Sequence, residues 1–107
     1  MMMKRTGVLK IIHDTAFPIN RLVVHPNTGF DLGFMQVKYV SKMCINTGIE
    51  EFKTGCVDVF CDVDIMLLNE CGSQNLEMAQ KLWEKIGMPD NALLIYNEET
   101  NHILIAC

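Results

Sequence analysis

Between Val57 and Ile65 every odd position is apolar, while Asp58, Asp62 and Asp64 fall on even ones. Successive side chains of a strand point to opposite faces, so this run reads as a half-buried strand with an acidic outer face. One face demands a core; the other demands water, a cation or a partner. Val57, Val59, Cys61, Val63 and Ile65 are the expected inward residues.

The rest of the chain is read around that strand. Gly7–His13 and Arg21–His25 are expected strands, the second stopped by the turn signal Pro26-Asn27-Thr28-Gly29. Phe30–Ile45 alternates over a long stretch and reads as another strand, with Gly33 marking a bulge or bend. Thr47-Gly48-Ile49-Glu50 fits a capping box and predicts one short helical turn before Gly55. Leu76, Ala79, Leu82, Trp83 and Ile86 recur at helical spacing, so the main helix is expected from Ser73 or Asn75 to Gly87. Its apolar stripe, Trp83 included, is expected to pack on the sheet. Asn91–Tyr96 and His102–Cys107 flank a polar loop and read as a terminal hairpin. The expected fold is therefore α+β: a mostly antiparallel sheet of about six strands, in the order ββββαββ, with one main helix on a face.

A chain of 107 residues is expected to form a single domain, 1–107, with Met1–Arg5 as a flexible tail. No apolar segment follows that tail before Lys10, so a secretory signal is not expected. No apolar run approaches the roughly 20 residues needed to span a bilayer. Thirteen acidic against nine basic residues leave a net charge of −4, and the basic ones are scattered. Nucleic-acid binding needs convergent Lys or Arg, so it is disfavoured.

Five cysteines, Cys44, Cys56, Cys61, Cys71 and Cys107, without a signal segment suggest free thiols in a reducing, cytoplasmic setting. They offer no Cys-x-x-Cys, and His13, His25 and His102 occur singly, outside zinc spacing. No glycine-rich phosphate cradle is present. A nucleophilic Cys–His pair is available only in composition. No cofactor is expected.

Two readings of function follow. Half of the residues are hydrophobic, more than one layer of sheet and helix readily hides. The terminal hairpin is apolar on both faces, and a single helix layer covers only one. The other face must be closed by sheet curvature, a second subunit or a partner. The leading expectation is thus a non-catalytic protein-binding module, an adaptor, inhibitor or regulatory unit, and a homodimer, with Leu94, Tyr96 and Leu104 at the interface. The alternative is a metal-dependent enzyme or metal-binding protein. Asp62 and Asp64 lie roughly 6 to 7 Å apart on one strand face, and with Asp58 offer oxygen ligands for a divalent cation. The simpler account of these carboxylates is a solvated face paired with Lys38 and Lys42 on a neighbouring strand. A small-ligand pocket between helix and sheet is a third class without specific sequence support.

Overall fold

The computed structural model describes residues 3–55 and 58–107. Met1 and Met2 of the expected tail, and Cys56 and Val57 of the acidic run, lie outside them. The elements are β1 (Met3–Arg5), β2 (Leu9–Asp14), β3 (Arg21–Val24), α1 (Pro26–Asp31), β4 (Lys38–Cys44) and α2 (Ile49–Thr54). There follow β5 (Val59–Leu67), β6 (Asn75–Ala79), α3 (Gln80–Lys85), β7 (Asn91–Asn97) and β8 (His102–Ala106).

The strands run β7-β2-β6-β3-β5-β4-β8, and β8 pairs back onto β7, so seven strands close a barrel. Of the described residues 45% are strand and 17% helix, which corrects the expectation of an α+β sheet with one main helix. The pairing is also mixed: β2 with β6, β3 with β5 and β4 with β8 are parallel. Met3–Arg5, expected as tail, is a strand pairing antiparallel with β7.

Closure explains the excess of apolar side chains. Leu9, Ile11, Leu22, Val24, Met43, Val63, Ile65, Leu76, Met78, Leu94, Ile103 and Ile105 fill one interior core. Each large aliphatic side chain so buried contributes about 1.5–3 kcal/mol. A second, outer cluster joins Cys44, Ile95, Leu104 and Ala106 to Phe52 of α2. The terminal hairpin is therefore apolar on both faces because β7 and β8 face the barrel interior on one side and α2 on the other. Curvature, not a second layer, closes the inner face.

Local chemistry accounts for the other departures. Pro26-Asn27-Thr28-Gly29 starts a helix rather than a simple turn. Pro26 sits where its missing N–H costs nothing, and His25 Nδ1 accepts from the Asn27 amide at 3.1 Å. The helix ends at Gly33, whose φ of +80° suits a residue without Cβ. There Gly33 N donates to Phe30 O and Phe34 N to Gly29 O, the Schellman pattern. The long strand expected from Phe30 is thus confined to Lys38–Cys44.

The expected main helix is the largest departure. Its first half is β6, between β2 and β3, with Leu76 and Met78 fully buried and Asn75 and Glu77 half-exposed. Only Gln80–Lys85 is helical. Leu76-x-Met78 satisfies a period of two as well as Leu76-x-x-Ala79 satisfies a helical one, and pairing on both edges decides it. No helix among the described residues is long and apolar enough to cross a membrane.

Candidate functional site

The acidic strand comes first. Val63 and Ile65 are fully buried, and Cys61 packs half-buried against the core. Val59, expected inside, is 43% exposed. The cause is a bulge: Met43 pairs with Cys61 but Cys44 with Val59, which leaves Phe60 as an extra residue and breaks the alternation. Asp62 stands opposite Lys42 and Asp64 opposite Val40, with Asp64 Oδ2 3.7 Å from Lys38 Nζ. Asp58 lies beyond the bulge, beside a shallow cleft of about 470 Å³ lined by Ile45, Asn46, Val59, Phe60 and Lys85. Among the described residues no three His, Cys, Asp or Glu side chains group as metal ligands. The strand brings Asp62 and Asp64 together with lysines and leaves Asp58 apart.

The residues expected at an interface are largely used internally. Leu94 is fully buried in the barrel and Leu104 fully buried beneath α2. Tyr96 is half-buried, its ring edge-on to Phe34 at 4.9 Å and its hydroxyl donating to Asn101 Oδ1 at 2.9 Å. Burial, then Glu98 and Tyr39, push its phenol upwards. The three do not form a free apolar face.

A different surface is exposed. Phe30, Met35 and Val37 are 65%, 74% and 61% accessible. With Pro26, Phe34, Gln36 and Leu67 they line a groove of about 190 Å³ where the α1–β4 connection crosses the end of β5. The backbone under these side chains is fixed from within. Phe34 is buried and stacks on Tyr39 at 4.1 Å, and the Tyr39 hydroxyl accepts from the Met35 amide at 2.8 Å. Leu67 N donates to Val37 O at 2.8 Å. Reading Phe30–Ile45 as one strand hides this site. Pro26 followed seven residues later by Gly33, the Pro-start and Gly-stop of a short helix, is the signal that could have found it.

No Cys–His pair is assembled among the described residues. Cys71 Sγ lies 3.7 Å from Val23 O and 3.5 Å from Asn75 O. Burial and the Glu77 carboxylate raise its thiol to about 12. Burial also raises Cys44, Cys61 and Cys107, with Asp58 adding at Cys44 and Asp62 at Cys61. All four are free thiols. The histidines are engaged elsewhere: His25 caps α1, and His102 Nδ1 lies 2.6 Å from Thr100 Oγ1. His13 stacks on Trp83 at 3.7 Å and bonds Gln80. Trp83 packs half-buried against the core, as expected of the helix stripe, and donates to Pro89 O at 2.8 Å.

No protein-family model, no curated protein and no solved structure matches the chain.

Proposed function

We propose that the chain is a non-catalytic protein-binding module and that the groove between Phe30, Met35 and Val37 is its recognition surface. One observation carries this reading. Three large apolar side chains face water while the backbone beneath them is held by Phe34, Tyr39 and Leu67. Solvent-exposed apolar clusters mark interaction sites, and a pre-ordered loop loses little entropy on binding. The free thiols suit a reducing compartment, so we place the module in the cytoplasm.

The occupant is a protein segment that presents an apolar anchor with basic neighbours. The anchor fills the groove; exposed Asp31 beside Phe30 and the net charge of −4 favour Lys or Arg at the rim. Selection of a random peptide library on the immobilised chain tests this. Enriched peptides should carry a Leu, Met or aromatic anchor flanked by basic residues, and should lose binding to Phe30→Ser and Met35→Glu. Peptides that bind both variants as well as the wild type, or no enrichment, would refute the site.

A further inference from the structure

A second surface, separate from that groove, carries a lysine and an aspartate directly opposed in register, a pair that a second copy can complement. Lys38, Val40 and Lys42 face outwards from β4; Asp62, Asp64 and Met66 face outwards from β5. In register, Lys42 stands opposite Asp62, Val40 opposite Asp64, and Lys38 opposite Met66. Lys38 is ion-paired with Asp64, and Arg21 on β3 flanks Asp64 from the other side. Lys42 and Asp62, although directly opposed, form no ion pair. Val40 lies between the two lysines and is 54% exposed. α2 covers the outer cluster at Cys44 and Leu104, and α3 packs on β6 and β2. Among the described residues no helix covers this wall, where Lys38, Val40, Lys42 and Asp62 are exposed and Asp64 and Met66 half-buried.

We propose that a second copy of this chain docks on the β4–β5 wall, about a two-fold axis that runs parallel to the strands and between them. Such an axis lays β4 of each copy on β5 of the other without changing level along the strand. Lys42 of one copy then faces Asp62 of the other, twice over. Lys38 faces Met66 and Val40 faces Asp64, which keeps its ion pair with Lys38 of its own copy, and the Val40 side chains are removed from water. The other axis lying in the wall, perpendicular to the strands, lays β4 on β4 and sets lysine against lysine. Like charges in contact repel, so charge selects the first arrangement. In a two-fold contact each residue is used by both copies, which doubles the effect of any single change.

The test uses the full chain and two exposed positions, so folding is retained and is verified by thermal melting. Sedimentation equilibrium of the wild type should show mass rising with concentration towards twice 12.2 kDa. Lys42→Asp leaves acids in both rows, and Asp62→Lys leaves bases in both. Each variant alone should bind itself on the order of a hundredfold more weakly. An equimolar mixture should recover the dimer, because each variant complements the other. A wild type that stays at 12.2 kDa into the millimolar range would overturn the proposal. So would variants that dimerise like the wild type, or a mixture that stays monomeric. Met35→Glu separates the two surfaces: it should keep the dimer while losing the selected peptides. Loss of the dimer in Met35→Glu but not in Lys42→Asp would move self-association to the groove and refute the wall.

Discussion

Gly29 lies against Leu67 so closely that a Cβ on it would stand 2.7 Å from the leucine Cγ. This contact sets α1 on the end of β5 and so positions Phe30 and the groove. Ala in a helix is favoured over Gly by roughly 0.5–1 kcal/mol, but overpacking costs about 1–3. Gly29→Ala should therefore destabilise by about 1–2 kcal/mol in urea denaturation. Leu67→Ala alone should cost about 2–5 kcal/mol. In that background Gly29→Ala should become neutral or favourable, because the leucine it met is gone. Additive effects in the four-protein cycle would show that the close approach is not what opposes a side chain at Gly29.

Asn101 ties the hairpin loop to β4 in a backbone shape that few residues accept. Its φ is +57°. Its Oδ1 accepts from Ser41 Oγ and Tyr96 OH, each at 2.9 Å, and its Nδ2 donates to Val40 O at 3.1 Å. Asn101→Gly keeps the backbone and loses the bonds, an expected loss of about 1–3 kcal/mol. Asn101→Ala should lose roughly 1 kcal/mol more, for the left-handed conformation. If alanine proves the milder change, backbone strain is not what selects Asn101.

Strand positions were legible where only one period fits the residues. Leu9 with Ile11 and Val63 with Ile65 are buried and alternate with the exposed Lys10 and half-exposed Asp64. Barrel closure was not legible, because it depends on β8 meeting β7 after all seven strands have curved, a property of accumulated twist rather than of any segment. The stretch from Asn75 to Ala79 obeys two periods at once, and its parallel partner β2 lies more than sixty residues earlier. Val59 shows the same limit at one residue. Alternation places it inside, and only the bulge at Phe60 turns it out. Val59→Asp should thus change stability little, whereas Val63→Asp should unfold the barrel.

Thiol accessibility separates the cysteines. Cys107 is exposed, Cys61 half-buried, and Cys44 and Cys71 are buried. Among the four described cysteines, timed alkylation of the native protein, read by peptide mass spectrometry, should label Cys107 first and Cys61 next. Cys44 and Cys71 should wait for opening of the fold. While the fold is closed, burial and Glu77 hold the Cys71 proton up to about 12, so little thiolate forms there at neutral pH and its labelling should follow the opening of the fold. Early labelling of Cys71 at neutral pH would contradict its packing between Val23 and Asn75.

The Lys42 charge also acts on a proton of the neighbouring strand. It pairs in register with His102, whose imidazole is pushed below 6.5, first by burial and then by the Lys42 charge. As pH falls through 6.5 the unfolded chain takes up this proton before the folded one. The histidine's contribution to stability is therefore complete above 6.5 and is lost as pH falls through its lower folded value. Thermal melts should show the wild type losing more stability below pH 6.5 than His102→Gln does. In Lys42→Asp the repulsion becomes attraction, so the His102 titration followed by NMR should move upwards and that pH dependence should shrink. An unmoved His102 titration in Lys42→Asp would leave burial as the sole cause of the shift.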